Sequence, residues 1–392
     1  MWGLPPPARG STPAPRPNQY GYGYICSAIA IMKGQQALCS TSVPEQSSTP
    51  RFYRLHLQTL RRKPEMHTRL IVNPTAGPAE KPELFTDLVD ALQTQGIEAE
   101  ICPTTPDEDG EGLAAAAAKA GAKLVIVAGG DGTIEAVARG LMRTQSVLGI
   151  IPLGTRNNLA ASLNIPSDLT QAIQTLVEGE HEQFDMGKAN NYYFMEVVGV
   201  GLEASLFPCG DEVKEGMKKN YLVALKSIFS GVKTFLQFRP HRLVLRFDGR
   251  RLRRLRTLQV NICNSPRYGV EFALAPEAKM NDGRLDVIYM DNPSKWEHLR
   301  QFFAAMQGER LPHERLKTDR ASKIEVRSYP PLDVHADGEC LGTTPVTVEV
   351  LPKALWICVP TPELLTKFAD VSRSPALTQQ TEKPERAVFP QG

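Results

Sequence analysis

The sequence lacks any hydrophobic run long enough to cross a bilayer as a helix. The longest candidates, such as Ile25–Met32, fall well short of the about 18 apolar residues that a membrane span requires. We therefore predict no transmembrane helix. If the protein acts on a lipid, we expect it to visit the membrane surface rather than to cross it.

A strong charge of one sign is also missing. The 392 residues contain 45 Lys and Arg against 43 Asp and Glu, which gives a formal net charge of +2. A balance so close to zero provides no global attraction for nucleic acid, and we predict no nucleic-acid partner. Any attraction to a membrane has to come from local basic patches.

Paired cysteines are absent as well. The seven cysteines are scattered, odd in number and never spaced as C-x-x-C. This pattern argues against a disulfide framework and against a zinc site. We therefore expect a reducing compartment and a cytoplasmic protein.

Residues 1–66 show no sustained hydrophobic period. They are rich in proline, then in glycine and tyrosine, and then in serine and threonine. This composition is typical of disordered segments, so we predict a disordered N-terminal extension. A signal peptide around Ile25–Met32 is disfavoured, because its basic flank and its cleavage pattern are poor.

From residue 67 the pattern changes to an apolar strand, a glycine-containing turn and an amphipathic helix, repeated. Leu124–Ala128 is a short, entirely apolar run of the kind that is buried on both faces of a sheet. Alternating strands and helices predict a parallel sheet, so residues 67–186 are expected to form a doubly wound α/β domain.

Beyond Asp185 the sequence contains many short alternating runs separated by Gly, Pro, Asn and Asp. They predict an antiparallel β-sandwich over residues 187–360. Two helical stretches interrupt it, Lys218–Leu236 and Trp296–Gln307, and residues 361–392 are expected to form a short helix and a tail. The predicted strands are Tyr192–Val198, Arg242–Phe247, Arg256–Cys263, Arg284–Met290, Ile324–Ser328 and Val346–Leu351.

The strongest local signal is the loop Gly129-Gly130-Asp131-Gly132-Thr133 between an apolar strand and a helix. A glycine turn at a helix N-terminus presents backbone N–H groups and a positive dipole end to a polyphosphate. Asp131 could position a metal ion, and Thr133 could bond a phosphate oxygen. Read alone, the loop fits an ordinary βα turn with a helix cap equally well.

Two further polar turns, Asn73–Gly77 and Pro152–Asn158, also follow apolar strands. The carboxyl ends of parallel strands form the ligand crevice of an open α/β sheet, so the three loops are expected to converge. Each one could be ordinary turn chemistry. Convergence of all three favours a binding site.

Together these motifs resemble the diacylglycerol kinase catalytic domain shared by bacterial lipid kinases, sphingosine kinases and ceramide kinases. Further matches are the family's D-x-G strand, its P-x-A-x-x-x-D-G-x-L segment and its D-G-E motif. The Gly-Gly-Asp-Gly-Thr loop also occurs in NAD kinases, but its combination with D-G-E is far more specific. The matching segments are Asp185–Gly187, Ala275–Leu285 and Asp337–Glu339, and the resemblance covers about Thr68–Pro360.

The resemblance implies a kinase that transfers the γ-phosphate of ATP to a lipid hydroxyl, with diacylglycerol as the leading acceptor and phosphatidic acid as the product. It also implies Mg²⁺, a role in phospholipid biosynthesis and transient association with the membrane; a homodimer stays open. Glu339 would be the general base, and Asp131 and Asp337 would lie nearest the Mg²⁺. A second, structural magnesium position would involve Lys279, Asp282 and Arg284. The residues implied to contact ATP are Asn73, Thr75, Gly129, Gly130, Asp131, Gly132, Thr133 and Thr155.

The sequence departs from the family pattern at several positions. The family commonly has Asn-Glu where this chain has Glu135-Ala136, and Gly-Asn-Asp-Phe where it has Arg156–Leu159. It also has Tyr268–Glu271 where a run of glycines is usual. Two alternatives therefore stay open: a soluble kinase of the NAD kinase type, and a catalytically weak regulator that binds nucleotide or lipid.

Two segments are compatible with a lipid substrate without establishing one. Met217–Phe238 has an apolar stripe at helical spacing with interleaved lysines, which suits either a membrane interface or a core helix. Arg250–Arg256 is dense in arginine and follows the turn signal Asp248-Gly249. It could attract anionic headgroups or form a solvated hairpin.

Overall fold

The structure is a computed structural model that describes residues 68–76, 83–202, 204, 237–268, 274–307 and 313–373. The predicted disordered segment 1–66, the predicted helix Lys218–Leu236 and the end of the tail lie outside these residues. Within the described ranges, no helix is both long enough and apolar enough to span a membrane.

Four parallel strands form the first part of the larger sheet, in the order β2-β1-β3-β4. Helices lie between them along the chain, as the alternating pattern predicts. The strands are β1 Thr68–Val72, β2 Glu100–Pro103, β3 Leu124–Gly129 and β4 Val147–Pro152; the helices are α1 Glu83–Thr94, α2 Glu111–Lys119, α3 Asp131–Leu141, α4 Asn158–Ser162 and α5 Leu169–Glu178.

The apolar run in β3 is buried on both faces of this sheet. Val125 and Val127 belong to one hydrophobic cluster together with residues of α2, α3 and α4. Ile126 and Ala128 belong to another, with residues of α1 and α5. Because successive strand side chains point to opposite faces, helices cover both sides of the sheet. The predicted doubly wound α/β domain is confirmed.

A second sheet of six antiparallel strands follows, in the order β12-β11-β10-β7-β14-β15. The remaining strands continue the first sheet past β4 through β16-β13-β8-β9, while β5 pairs with β16 and β6. The bounds are β5 Glu180–Ala189, β6 Tyr192–Phe194, β7 Val197–Gly201, β8 His241–Phe247, β9 Arg251–Thr257, β10 Gln259–Cys263, β11 Leu285–Met290, β12 Leu316–Ala321, β13 Lys323–Tyr329, β14 Asp333–Ala336, β15 Glu339–Thr343 and β16 Val346–Val359.

A single hydrophobic cluster fills the space between the two sheets. It joins Leu243, Leu245 and Val326 of the first sheet to Val260 and Val287 of the second. The predicted β-sandwich is therefore confirmed, although one of its layers is continuous with the parallel sheet. β5 passes without interruption through residue 186, the predicted end of the first domain, so the division into 67–186 and 187–360 is kept as a proposal.

One predicted strand was wrong in its extent. Arg256–Cys263 was expected to form a single strand, but β9 ends at Thr257 and β10 begins at Gln259. The two strands belong to different sheets, and Leu258 between them is buried. Alternation of side chains cannot reveal that the chain passes here from one sheet to the other.

Two helices complete the described fold, α6 Lys295–Met306 and α7 Pro362–Arg373. α6 begins with a capping box, in which the Ser294 hydroxyl accepts from the Glu297 amide and the Glu297 carboxylate accepts from the Ser294 amide. Both helices lie where the sequence predicts them.

Candidate functional site

The Asn73 and Gly129 loops are joined by one side chain. Asn73 Nδ2 donates to Thr133 Oγ1 over 2.9 Å, and the Asn73 backbone amide donates to the Ala128 carbonyl over 3.0 Å. Asn73 Oδ1 accepts from both the amide and the hydroxyl of Thr75, at 2.9 and 2.8 Å. These contacts fix which way the Asn73 amide faces and hold its loop against the start of α3.

The Gly129 and Pro152 loops touch through their backbones. The Leu153 amide donates to the Gly129 carbonyl over 2.9 Å. A Cβ atom on Gly154 would lie 2.7 Å from the Gly130 Cα, so the approach requires glycine. Asn157 holds Gly154 through two hydrogen bonds of 2.9 Å, one to its amide and one to its carbonyl. The three loops therefore meet, as their places at the carboxyl ends of parallel strands predict.

The start of α3 presents free donors to this meeting point. Its cap residue, Gly130, has no side chain, so no side-chain hydrogen bond caps the helix. The first-turn amides of an 11-residue helix are then available to an anion. The buried Thr133 hydroxyl accepts its hydrogen bond from Asn73, so its own proton can be donated to a ligand oxygen.

Asp131, the first residue of α3, has its carboxylate near the start of α4. Burial raises the pKa of this carboxyl, and the facing amides of Asn158, Leu159 and Asn157 together with the positive charge of Arg156 act in the opposite direction. One of its oxygens, Oδ1, is buried and has no hydrogen-bond partner. Asp131 therefore keeps an oxygen free within the site.

Two glutamates face Asp131 from either side of the junction between the domains. Glu135 on α3 and Glu196 before β7 are 7% and 2% exposed. Burial raises the pKa of both carboxyls well above their usual range, and the negative charges of Asp337 and Asp131 raise them further. Glu196 Oε1 is buried without a partner. The site thus groups carboxyls whose burial and mutual repulsion disfavour their ionised forms.

Three backbone amides hold the carboxylate of Asp337 in place. Its carboxylate accepts from the amides of Met195, Glu196 and Val197 at 2.6, 3.1 and 2.8 Å. Burial raises its pKa to about 6, with the three amides acting against the rise. Both oxygens are used in this way, so its contacts are with the chain around Glu196, and its predicted place beside a metal ion stays a prediction.

Glu339 is the exposed first residue of β15, opposite Ala336 of β14. It lies on the same side of the fold as the buried carboxylates. Burial raises the pKa of the Tyr192 hydroxyl, and the charges of Glu135, Asp337 and Glu339 add to the rise, while Arg139 opposes it. The Arg139 guanidinium stands 5.7 Å from the centre of the Tyr192 ring. Tyr192 thus lies close enough to Glu339, Glu135 and Asp337 for all three charges to act on its hydroxyl.

The predicted second magnesium position, residues 279–284, contains an ion pair. Asp282 forms an ion pair with Arg320, and its Oδ1 accepts from the Arg284 amide over 3.0 Å. Arg320 also lies 3.4 Å from Asp286. The Arg320 guanidinium therefore occupies part of the Asp282 carboxylate, and the second magnesium position at Lys279, Asp282 and Arg284, for which backbone carbonyls are also candidate ligands, stays a prediction; we derive no step through it.

The cysteines depart in one place from the pattern expected of a reducing compartment. Cys340, next to Glu339, is disulfide-bonded, whereas Cys102, Cys263 and Cys358 are not part of a disulfide. Nor do three His, Cys, Asp or Glu side chains of the described ranges come together as a ready-made metal site.

Replacing Glu196 with glutamine is expected to stabilise the protein at pH 8 in metal-free buffer. Folding raises the pKa of this carboxyl, so its contribution to stability is complete below its unfolded-state pKa and is lost as pH rises through the folded-state pKa. Glutamine resembles the protonated form at every pH. We expect a gain on the order of 1–3 kcal/mol at pH 8 that disappears at low pH.

The measurement is the free energy of unfolding from pH 4 to pH 8, with Glu314→Gln as the control. Glu314 is exposed, so its replacement makes the same change of charge without removing a buried group. A Glu196→Gln profile parallel to that of the unmodified protein would show that Glu196 is not buried as an ionised group.

Comparison with known families matches both halves of the chain. Residues 67–189 match the model of the diacylglycerol kinase catalytic domain. Residues 197–359 match that of the YegS C-terminal NAD kinase beta sandwich-like domain. The first match contains the three loops, and the second contains Asp337 and Glu339.

Several curated proteins are similar over most of their length. The chain is 29% identical over 281 residues to a diacylglycerol kinase of Bacillus subtilis, covering 71% of this chain and 91% of that protein. It is 26% identical over 294 residues to one of Staphylococcus haemolyticus, covering 74% and 88%. A solved structure described as a diacylglycerol kinase from Bacillus anthracis has the same fold, with a TM-score of 0.60, 21% identity and coverage of 76% and 97%.

Proposed function

Because this chain belongs to the diacylglycerol kinase catalytic domain family, we propose that it transfers the γ-phosphate of ATP to a lipid hydroxyl, with diacylglycerol as the leading acceptor and phosphatidic acid as the product. The observation that carries the proposal is the Asn73–Thr133 hydrogen bond of 2.9 Å, which joins two of the three loops at the start of α3. An ordinary βα turn does not need such a bond.

The loops would bind the phosphates of ATP. The amides of the first turn of α3 and the Thr133 hydroxyl would donate to phosphate oxygens, and Asn73 would keep that hydroxyl turned toward them. Thr75 and Thr155, at the exposed ends of their loops, would contribute further contacts. Phosphoryl transfer depends mainly on such positioning and on neutralising charge.

The buried carboxyl groups repel one another, and a divalent cation bound between them would relieve this repulsion. Asp131 Oδ1 and Glu196 Oε1 are buried oxygens without partners, and oxygen is the ligand that Mg²⁺ prefers. Asp131 and Glu196 would hold the ion through these oxygens. When bound, Mg²⁺ supplies neutralisation of the phosphate charge.

The departures from the family pattern move one carboxylate and replace another with an amide. Asn158 stands where the family commonly has aspartate, but it hydrogen-bonds to the buried Glu196 carboxylate. Glu135 provides a carboxylate where the family commonly has asparagine, and Ala136 lacks one where the family commonly has glutamate. These positions therefore carry one carboxylate fewer than the family pattern and one additional positive charge, Arg156. Whether the site still transfers phosphate is decided by the assay below.

Glu339 would be the general base. A carboxylate within reach of the acceptor hydroxyl can take its proton as the phosphate bond forms. Asp337 would position it, because three backbone amides fix Asp337 only two residues earlier in the chain. The exposed position of Glu339 leaves it accessible to an acceptor arriving from a membrane.

The test is to incubate the full chain with γ-labelled ATP and Mg²⁺ against four acceptors: diacylglycerol, phosphatidylglycerol and a long-chain base, each in mixed micelles, and NAD in solution. We expect label in diacylglycerol. Label in another lipid would keep the lipid kinase but change its acceptor. Label in NAD alone would overturn the proposal in favour of a soluble kinase. ATP binding without any transfer would overturn it in favour of a regulator.

A further inference from the structure

Five arginines share the outer face of the sandwich at the end of the larger sheet. We name Arg242 and Arg246 of β8, Arg254 and Arg256 of β9 and Arg327 of β13 the arginine face. All five are exposed, whereas the residues that alternate with them in the strands, such as Leu243, Leu245 and Leu255, are buried toward the other sheet. The five side chains therefore lie on the side opposite the sandwich core.

The strand register brings these charges close together. Arg242 lies directly opposite Arg256, and Val244 lies between Arg254 and Arg327. Like charges directly opposite each other in an antiparallel pair destabilise the sheet. Glu325 of β13 lies on the same side of the sheet as these arginines, and its carboxylate is 3.7 Å from the Arg327 guanidinium. Among the described residues, no carboxylate forms an ion pair with Arg242, Arg246 or Arg254.

The opposite face of the same edge strand provides an internal contrast. Arg251 is 2.9 Å from Asp319 of the second sheet, and Arg253 is 3.9 Å from it. Those inner arginines have a partner within the fold. On the outer face, Arg327 pairs with Glu325 and Arg256 Nε donates to the Pro240 carbonyl over 3.1 Å. Arg242, Arg246 and Arg254 have no ion pair among the described residues, which favours a partner outside the protein for these three.

Protection of a sheet edge explains only part of the pattern. β9 ends the sheet, and charged side chains on edge strands discourage pairing with other chains. β8 and β13, however, lie inside the sheet and carry Arg242, Arg246 and Arg327. Edge protection does not require a charge on these inner strands.

Apolar side chains border the arginine face. Tyr329 is 86% exposed and lies opposite Arg242, and Leu252 is 43% exposed and lies opposite Arg246. Exposed aromatic and aliphatic residues among basic ones are typical of surfaces that enter the headgroup region of a bilayer. A nucleic-acid partner would account for the arginines but not for the exposed Leu252.

We propose that the arginine face docks the protein on the surface of an anionic bilayer, with the guanidinium groups on lipid phosphates and with Tyr329 and Leu252 among the headgroups. The proposal rests on the proposed function, since a kinase that phosphorylates a membrane lipid has to work at the bilayer. Each basic residue near an anionic surface contributes about 1 kcal/mol, and salt weakens the attraction.

The experiment is co-sedimentation of the full chain with vesicles of phosphatidylcholine alone or mixed with phosphatidylglycerol. We expect binding to the anionic vesicles only. The triple variant Arg242→Gln, Arg246→Gln, Arg254→Gln should bind them about 100-fold more weakly, which is about 1 kcal/mol per arginine. Tyr329→Ser should weaken binding with little change in its salt dependence.

The control is Lys119→Gln, Lys123→Gln, Lys367→Gln, which removes the same charge from exposed positions in α2, after it and in α7. It should bind anionic vesicles like the unmodified protein. If both triple variants lost the same amount of vesicle binding, net charge alone would explain the binding, and the proposal would be overturned. So would undiminished binding by the arginine variant, or binding of single-stranded RNA in place of vesicles.

A second readout separates docking from catalysis. With a short-chain diacylglycerol dissolved as monomers, the arginine variant should phosphorylate its substrate as fast as the unmodified protein. Slow phosphorylation there would mean that the variant damages the site, and it would overturn docking as the role of this face. Vesicle binding without phosphorylation of any lipid would leave the docking surface in place and refute the proposed function.

Discussion

Glu339→Gln should lower the rate of lipid phosphorylation by about 10²–10⁴-fold while leaving the KM for ATP nearly unchanged. Glutamine has the size of glutamate but cannot accept a proton at neutral pH, and general-base catalysis contributes a factor of this order. The thermal midpoint should change little, because Glu339 is exposed at the first position of β15. The measurement is kcat and KM with diacylglycerol in mixed micelles.

Two further variants make this result specific. Glu314→Gln removes the same charge from another exposed position and should keep full activity. Glu339→Asp keeps the base but draws it back by one methylene, so its activity should lie between those of Glu339→Gln and the unmodified protein. If Glu339→Gln retained more than a tenth of the turnover, another group would have to take the proton.

The elements of the first domain could be predicted because their signals are local. Leu124–Ala128 is apolar throughout and is followed at once by the glycine loop, so both the strand and the start of α3 can be read from adjacent residues. The convergence of the three loops then follows from the rule that parallel strands end at one edge of their sheet. Neither step needs knowledge of distant contacts.

The buried carboxylates could not be placed in this way. Asp337 contacts the amide of Glu196 across 141 residues of sequence, and no local pattern specifies such a pair. A signal was nevertheless present. Glu135 and Glu196 each stand within an apolar stretch, Ile134–Ala138 and Met195–Val198, and glutamate is almost never fully buried without a partner. Only the folded structure shows which groups surround these two glutamates.

The course of β16 shows the same limit at the level of the sheet. Its first half pairs with β13 of the sandwich, and Trp356 and Ile357 near its end pair with β4 of the parallel sheet. The sequence predicts a strand at Val346–Leu351 but not that it runs on to Val359. That extension depends on the hydrogen bonds that a neighbouring domain offers, and these are absent from any pattern within the strand.

Asp337→Ala should destabilise the protein by about 3 kcal/mol, which corresponds to a fall in the thermal midpoint on the order of 10 °C. The alanine would leave the amides of Met195, Glu196 and Val197 without their acceptor. Each unsatisfied buried donor costs about 1–3 kcal/mol. Part of this cost is recovered, because the variant no longer buries a carboxyl whose pKa is raised to about 6.

The pH dependence of this loss has a definite sign. A pKa raised by folding means that the carboxyl stabilises the folded state when protonated, and that this contribution is lost as pH rises through about 6. Asp337→Ala should therefore cost more stability at pH 5 than at pH 8. Asp370→Ala, at an exposed position of α7, is the control and should show neither the loss nor its pH dependence. A larger loss at pH 8 would contradict the assignment.

Asp337→Asn separates the structural contribution of this residue from its contribution to catalysis. The amide keeps one acceptor oxygen and no charge, so we expect it to recover a large part of the stability that alanine loses. If Asp337 also positions Glu339, the asparagine variant, assayed well below its thermal midpoint, should still show a lower kcat with an unchanged KM for ATP. If Asp337 only holds β6 and β7 against β14, the asparagine variant should regain full turnover together with its stability. The split between kcat and stability therefore decides whether the Asp337-Gly338-Glu339 segment works as one unit, in which a carboxylate fixed by three backbone amides holds an exposed base in place.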